Sequence, residues 1–403
     1  MVAVEKKAGA NLTLLLAACG ALGPVSTLLL MPALPAIRAE FGGSTSATQA
    51  VISVFLFAFA VGIPFTGPLS DRYGRRPVLL VGLATFFIGS ALAAFAPTLE
   101  LLILARAIQA LGCAANATVA RAILGDIYDD WRLAKALALL TLGMMVGTSV
   151  SPYLGGLITD NFGWHATFLL LLVISVIISI AALRSLPETR LISQESMTLR
   201  QVGYQSLNII RTPVFMACAI DAGIIYALYL GFISVAPYIM SEMLHRPATD
   251  FGLYILLMST GYFLGNLYVS RLSTQNELER VARFGTVLQS VSACIALVFV
   301  LSGYTDPLFW FGPMLPLAFA QGLALPHVTA TAVRLSPGFP GIASSLIGFS
   351  QQAMAAIAVQ SMGFTSTNTP VSVLIFCASL SLISLAAMFF MSWIVNKFKV
   401  VNT

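Results

Sequence analysis

Twelve apolar runs, each about 20 residues long or longer, constrain this chain more than any other feature of its sequence. A helix needs about 20 predominantly apolar residues to cross the hydrocarbon core of a bilayer. The approximate runs are 11–32, 47–69, 77–96, 99–122, 135–158, 165–185, 214–240, 250–270, 281–303, 307–330, 341–363 and 371–395. Only 9% of the residues are charged and 58% are hydrophobic, whereas soluble domains carry roughly 25% charged residues. The sequence therefore predicts an all-α membrane protein with twelve transmembrane helices.

A polar segment divides the runs into two groups of six. We therefore predict an N-terminal six-helix half at 1–185, a cytoplasmic linker at 186–212 and a C-terminal six-helix half at 213–403. Two pseudo-symmetric halves of this kind place a substrate site near the membrane midplane between them. The sequence has no nucleotide-binding GxxxxGKS/T pattern and no large soluble domain, so ATP-driven transport would need a partner chain.

The basic residues predict the orientation of the chain. When the N-terminus is placed in the cytoplasm, cytoplasmic loops, cytoplasmic span ends and the termini hold all of the 21 lysines and arginines except Arg38, Arg106 and Arg246. Because loops rich in Lys and Arg stay on the cytoplasmic side, we expect both termini to be cytoplasmic.

Composition and residue patterns also exclude several classes of protein. The positive charges lie in short loops between apolar runs, so the net charge of +5 does not indicate nucleic-acid binding. The five cysteines lie within apolar runs with no CxxC pair or Cys/His cluster, which argues against a metal site. No HExxH, GxSxG or pair of intramembrane carboxylates indicates an enzyme. We expect a monomer in a lipid bilayer that binds a small molecule.

The loop between the second and third runs reads "GPLSDRYGRRP" and covers residues 67–77. An anchor of positive charge would explain its arginines but not the spacing of its glycines and aspartate. The pattern resembles the loop signature of the major facilitator superfamily, G-x-x-x-D-R-x-G-R-R. The resemblance implies a charge network of Asp71, Arg75 and Asp126 that holds the two halves together on the cytoplasmic side. The gating candidates are Gly67, Asp71, Arg72, Gly74, Arg75, Arg76 and Asp126.

The fourth run contains a stripe of polar residues with spacings of three, four and three, namely Arg106, Gln109, Cys113 and Asn116. These spacings place the four on one helical face, and such a face inside a bundle commonly borders a water-filled cavity. We therefore take Gln109, Cys113 and Asn116 as cavity candidates. The stretch "RAIQALG" resembles the superfamily's fourth-span motif, whose arginine is linked to proton coupling. Alternatively, Arg106 is a structural residue bonded to backbone carbonyls.

The fifth run reads "GMMVGTSVSPYLGG" over residues 143–156. Small residues let helices approach closely, and a proline bends a helix. The stretch is similar to the G-P-x-x-G-G motif of exporters in this superfamily, with Ser151 in place of the usual glycine. Tight helix packing alone could also produce it. The residues of this antiporter motif are Gly143, Gly147, Pro152, Gly155 and Gly156.

Three further stretches, "MPALPAI" (31–37), "GLALPHVTATAV" (322–333) and "GIASSLIGFSQQ" (341–352), resemble the Bcr/CflA branch of drug-resistance exporters. This resemblance covers nearly the whole chain. It implies a proton-coupled exporter of small amphipathic compounds or drugs that works by alternating access in a bacterial inner membrane, with the proton as coupling ion and no other cofactor. The alternative is a dedicated metabolite or siderophore exporter, or an importer, on the same fold.

Relatives in that group often carry an acid in the first span, where this chain has Leu28. Of its 16 acidic residues, Asp221 alone lies well inside a run. An acid at membrane depth is costly and is by default a functional candidate, so we predict that Asp221 carries the proton or contacts substrate. Ile225, Tyr229 and Phe232 lie on or near its helical face and are cavity candidates, suited to an apolar or cationic compound. Alternatively, Asp221 pairs with a cation, bonds to backbone or faces water.

His327, near the cytoplasmic end of the tenth run, is a second proton candidate because histidine titrates near neutral pH. A structural hydrogen bond is the alternative for this residue. Other polar residues in the runs either line the cavity or bond across helices, and the sequence leaves both roles open for Asn266, Gln289, Gln321, Gln351 and Gln352.

Overall fold

A computed structural model describes residues 10–128, 130–190, 199–272, 274–304, 306–336, 338–365 and 370–401. Its first helices are α1 (Ala10–Leu30), α2 (Leu34–Phe41), α3 (Thr45–Tyr73), α4 (Arg75–Ala94), α5 (Leu99–Ile127), α6 (Asp130–Phe162) and α7 (His165–Ser185). They are followed by α8 (Leu199–Ile210), α9 (Pro213–Tyr238), α10 (Ala248–Val269), α11 (Gln275–Leu301), α12 (Pro307–Phe311), α13 (Met314–Arg334), α14 (Pro340–Thr365) and α15 (Pro370–Val401). A short 3-10 turn, Met31–Ala33, joins α1 to α2, and a π turn, Ile239–Met243, extends α9.

Twelve helical stretches in these ranges are long and apolar enough to cross a membrane. In chain order the spans are α1 with α2, α3, α4, α5, α6, α7, α9, α10, α11, α12 with α13, α14 and α15. The described ranges contain helices and no strand. The predicted fold class, all-α with twelve spans, is therefore confirmed.

Polar residues and glycines set the ends of the spans. The Ser44 hydroxyl accepts a hydrogen bond from the backbone N–H of Ala47 at the start of the second span. Gly74, with a φ of 96°, separates the second span from the third, and few other residues tolerate that backbone angle. This turn lies in the 67–77 loop. We call the end of the bundle that holds this loop the inner end, following the orientation that the basic residues predict, and the opposite end the outer end.

The two groups of six spans meet along the second and eleventh spans and along the fifth and eighth spans. At the outer end the fifth and eighth spans approach each other through glycines. A Cβ on Gly156 would overlap the carbonyl group of Ala248, and a Cβ on Gly252 would overlap the backbone at Tyr153. These contacts close the outer end.

The segment between the halves contains the helix Leu199–Ile210, which packs against the seventh and eleventh spans. Residues 191–198 of the predicted linker lie outside the described residues, and so do the outermost residues of both termini, 1–9 and 402–403.

Candidate transport cavity

A cavity of about 360 Å³ lies between the two halves on the inner side of the bundle. Both halves contribute to its wall, which is formed by Gly20, Pro24, Phe59, Ile63, Ala117, Thr118, Arg121, Met144, Tyr226, Thr329, Val333, Ser344, Ile347, Gly348, Gln351 and Gln352. The side chains of Arg121 and Ser344 are exposed. Closer to the inner end of the second span, a Cβ on Gly67 would meet no neighbour. The cavity therefore opens toward the inner end.

A second cavity of about 130 Å³ continues from the first toward the outer end. The two cavities share Pro24 and Tyr226. Its wall is mostly apolar and aromatic, with polar groups from Thr27, Thr148, Ser149, Ser259 and Gln321 among its lining residues. A mostly apolar concave wall with a few polar groups is typical of small-molecule sites.

The outer closure contains hydrogen bonds that join the two halves. The Asp160 carboxylate, at the end of the fifth span, accepts bonds from the backbone N–H groups of Ala248 and Thr249, at 3.1 and 2.8 Å. Gln360 of the eleventh span accepts a bond from the Ser53 hydroxyl at 2.6 Å and donates to the Ser46 carbonyl at 3.1 Å. These bonds separate the cavities from the outer end.

An ion pair stands at the rim of the same closure. Arg38 and Glu242, one from each half, lie 3.1 Å apart with both side chains partly exposed.

Two of the predicted cavity residues line a cavity. Ile225 and Tyr229, on the seventh span, belong to the wall of the outward cavity. Phe232, predicted to accompany them, packs instead against Phe311 with ring centroids 5.6 Å apart. Its predicted place in the cavity wall is thus corrected: Phe232 shares the face of Ile225 but lies two turns further toward the outer end, where it is buried.

Arg106 is fully buried inside the N-terminal half. It donates to the Ser26 hydroxyl at 2.6 Å, to the Val51 carbonyl at 3.3 Å and to the Gln109 side-chain oxygen. Its guanidinium also lies 3.9 Å from the ring centroid of Phe55. These partners come from the first, second and fourth spans, so the contact with backbone carbonyl and neutral side chains favours the structural alternative for this arginine.

The rest of the polar stripe shares this environment. Gln109 donates to Ser90 of the third span at 2.7 Å. Cys113 lies beside Gly23 and Asn116 beside Gly82. All three stripe residues are buried, and none lines either of the two central cavities. The prediction that this face borders the cavity is therefore corrected: the face packs against the first and third spans.

Asp221 is fully buried and faces the twelfth span. One carboxylate oxygen accepts a hydrogen bond from the Ser384 hydroxyl at 2.6 Å. The other, Oδ2, has no hydrogen-bond partner among the described residues. Asp221 does not line the two central cavities, although Ile225, one helical turn away, does. The carboxyl group thus lies inside the C-terminal half, close to the cavity wall but behind it.

His327 is buried and lines a groove of about 310 Å³ between the tenth span and the eighth and ninth spans. Other residues that line this groove include Leu272, Leu278 and Arg334. This groove differs from the two central cavities. The three proton-coupling candidates, Asp221, Arg106 and His327, are therefore not brought together, and each occupies a separate place.

Arg75 is the centre of the charge network in the 67–77 loop. It lies 2.7 Å from Asp71 and 3.0 Å from Asp126, and donates to the Ser70 hydroxyl at 2.6 Å. The carboxylate of Glu188, just after the sixth span, accepts bonds from the backbone N–H groups of Arg75 and Arg76. The predicted contacts among Asp71, Arg75 and Asp126 thus form.

The network's described bonds stay within the N-terminal half and the first linker residues, where Thr189 donates to Asp126 and Arg190 to the Asp71 carbonyl. The expectation that it ties the two halves together is corrected for this conformation, because none of these bonds reaches the C-terminal half. Arg72 lies over the ring of Tyr73, 5.3 Å from its centroid.

The glycines of the fifth-span motif have distinct neighbours. A Cβ on Gly143 or Gly147 would crowd Ala17 or Val25 of the first span, and one on Gly155 would overlap the Leu29 carbonyl. Gly156 faces the eighth span instead. Pro152 lies inside the continuous helix Asp130–Phe162. The motif therefore packs the fifth span against both a neighbour in its own half and a partner in the other half.

Three of the five polar residues whose role the sequence left open line a central cavity. Gln351 and Gln352 line the inner cavity, and Gln321 lines the outward cavity while donating to the Ile225 carbonyl at 3.0 Å. Asn266 donates to the Tyr262 carbonyl within its own helix. Gln289 is buried with neither side-chain polar atom bonded in the described part of the chain.

Arg121 is the residue that sequence reasoning missed. It was counted as a basic residue at a cytoplasmic span end, yet it lines the inner cavity. Its spacing of five from Asn116 takes it off the polar stripe. No local signal in the sequence marks this role, because the predicted apolar run ends at 122, one residue beyond Arg121.

Two bundles of six spans that close around a cavity at one end and part at the other define a membrane transporter built from two helical halves. A family model described as the Major Facilitator Superfamily matches residues 16–359. The chain belongs to this superfamily, and it is a transporter rather than an enzyme.

Individual relatives agree with this assignment. Multidrug resistance protein D of Escherichia coli (strain K12) is 28% identical over 357 residues, 86% of each protein. Multidrug resistance protein MdtL of Shewanella sp. (strain ANA-3) is 28% identical over 375 residues, 91% of each. A crystal structure of a D-xylose-proton symporter matches with a TM-score of 0.75 at 14% identity, covering 94% of this chain and 96% of that one. At this low identity the symporter shows the fold alone.

Proposed function

We propose that this transporter is a proton-driven exporter of small amphipathic compounds that works by alternating access in a bacterial inner membrane, as a monomer with both termini in the cytoplasm. The observation that carries the proposal is the pair of joined cavities between the halves, open inward and closed outward. Their mostly apolar walls with scattered hydroxyl and amide groups suit amphipathic compounds. Two relatives named as multidrug resistance proteins support export.

Asp221 is the proposed proton carrier. A buried carboxylate oxygen without a hydrogen-bond partner is costly when the group is charged, and Oδ2 of Asp221 is such an atom within the described residues. Proton binding would relieve that cost. Because the carboxyl group lies behind the cavity wall, we propose that it acts through the seventh span, whose Ile225 and Tyr229 face the cavity, rather than by direct competition with substrate.

The remaining candidates have supporting roles in this proposal. Arg106 holds the first, second and fourth spans in register, and the Arg75 network keeps the inner end of the N-terminal half rigid while it opens and closes.

The test uses purified protein in liposomes with an imposed pH gradient and a panel of amphipathic compounds. Wild type should accumulate compounds against their gradient only when the pH gradient is present. Asp221→Asn should lose this dependence, whereas Glu100→Gln, which changes an exposed acid at the outer end, should keep it. Wild-type transport that ignores the pH gradient rejects proton coupling, and an Asp221→Asn protein with full dependence rejects Asp221 as the carrier.

A drug-susceptibility screen of cells that produce the protein separates broad export from the alternative of a dedicated metabolite or siderophore carrier. Resistance to several unrelated compounds is expected. Resistance to none, combined with transport of a single compound in liposomes, would favour the dedicated carrier.

A further inference from the structure

The inner cavity contains one charged side chain among its described lining residues, and it is a cation. Arg121 lies on the fourth span, six residues from the end at Ile127, which places its Cα ~9 Å inside the helix end at 1.5 Å per residue. Its side chain is exposed in the cavity. The outward cavity has no charged residue in its described wall.

Arg121 has no ion pair or hydrogen bond within the described part of the chain. Other intramembrane or near-membrane charges are bonded: Arg106 to neutral groups and Arg75 to two carboxylates. The acid closest to Arg121 along its helix, Asp126, already binds Arg75 and Thr189. The guanidinium therefore keeps its donors free for something that enters the cavity.

The opposite wall carries neutral hydrogen-bonding groups instead of an acid. Thr329, Ser344, Gln351 and Gln352 line the cavity from the C-terminal half. When the tenth span is aligned on the fourth by Gln321 and Gln109, Val333 corresponds to Arg121 and also lines the cavity. The charge is thus confined to the N-terminal half, and Arg121 is the one charged residue in the described wall of the cavity.

The charge of Arg121 becomes costly when the transporter closes its inner end during alternating access. An open cavity lets water solvate the guanidinium, but closure of the inner end removes that water, and a cation buried without a partner is costly. A carboxylate or sulfonate on the bound compound would supply the partner in a bidentate hydrogen-bonded pair. A cationic compound would instead place two like charges in one cavity.

We propose that Arg121 selects compounds that carry an anionic group on an apolar body, the anion binding the guanidinium and the body packing against residues such as Phe59, Ile63 and Ile347. The inference rests on the proposed function, because it specifies the class of compound that the exporter takes. It departs from the expectation, drawn from Asp221, that the site suits apolar or cationic compounds.

The test measures binding directly, with no transport step. Three probes share one ring system and differ in charge: 1-naphthoate, 1-naphthalenemethanol and 1-naphthylmethylammonium. Equilibrium dialysis with purified wild-type protein near neutral pH should show naphthoate bound at least about tenfold more tightly than the ammonium, as one charged hydrogen bond is expected to give. Arg121→Gln should abolish that difference, and Arg121→Lys should retain part of it.

Arg334→Gln is the matched control, since it removes the same charge from the inner part of the tenth span, where Arg334 lines the lateral groove rather than the central cavity. It should preserve the naphthoate preference. Tightest binding of the ammonium by wild type, binding of none of the three probes, or an unchanged order in Arg121→Gln overturns the inference. Thermal unfolding of each variant establishes that it is folded.

Failure here and failure of the proposed function give different results. Gradient-driven transport of neutral or cationic compounds in the liposome assay, with no anion preference in dialysis, overturns the inference and leaves proton-driven export intact. Naphthoate preference that depends on Arg121 supports the inference, and if it is found together with transport that ignores the pH gradient, only proton-driven export is overturned.

Discussion

The outer and inner ends of the bundle are packed in opposite ways. At the outer end, glycines bring the backbones of the two halves into contact, and Asp160 binds across the gap. At the inner end, Gly67 and Gly125 face open space, and the bonds of Arg75 stay within its own half and the adjoining linker. The difference shows that the charged loop motif, though conspicuous in sequence, lies at the open end, while glycine contacts and the bonds of Asp160 hold the closed end.

The largest expected effect on stability comes from filling the outer glycine contact. In Gly156→Val the added side chain would overlap the backbone at Ala248, and such overpacking costs about 1–3 kcal/mol. We expect a clear fall in the thermal unfolding midpoint and a loss of transport. Gly203→Val, on the linker helix where a Cβ meets no neighbour, is the control. An unchanged midpoint in Gly156→Val would show that the outer contact contributes little.

Removing the carboxylate that spans the closure should have the next largest effect. Asp160→Ala leaves the N–H groups of Ala248 and Thr249 without their acceptor, and loss of such a cap costs about 1 kcal/mol. Asp160→Asn keeps one acceptor oxygen and should be milder. The readout is the unfolding midpoint of both variants. Equal midpoints for alanine and wild type would contradict the assigned role.

The ion pair at the outer rim should matter less. Arg38 and Glu242 are both partly exposed, and exposed pairs contribute about 0.2–1 kcal/mol. A double-mutant cycle of Arg38→Gln and Glu242→Gln should give a coupling energy in that range, reduced at high salt by screening. A larger coupling that salt does not reduce would indicate a buried contact instead.

The smallest effect on stability is expected at the inner end. Gly67→Val places its side chain in open space and should change the free energy of unfolding by less than about 0.5 kcal/mol. Transport should nevertheless fall, since closure of the inner end brings a partner toward this glycine. Full transport in Gly67→Val would mean that the second span stays clear of the other half throughout the cycle.

The sequence predicts the spans, the fold class and the contacts around Arg75 because each depends on local features: run length, charge and spacing. It predicts less about the cavity. The spacing of Arg106, Gln109, Cys113 and Asn116 shows that they share a face, but it does not reveal which helix covers that face. For the same reason the sequence places Asp221 correctly inside a span but does not show that its side chain faces the twelfth span.

Arg121, in contrast, lines the inner cavity although the sequence did not predict it there. A basic residue near the inner end of a span is explained by the charge rule for loops, so nothing local distinguishes a lipid-headgroup anchor from a cavity residue. That distinction depends on the rotation of the fourth span within the bundle, which packing against the first, second and third spans determines.

The bond between Asp160 and the start of the eighth span also bears on how readily the transporter can change state. When the halves part, water can bind the Asp160 carboxylate and the two freed N–H groups, so each group exchanges one partner for another. Because the acceptor is charged, such an exchange has a net free energy of about 1.5–3 kcal/mol per bond. The seal at this end is therefore geometrically specific, and a binding energy of a few kcal/mol elsewhere in the molecule is enough to break these bonds.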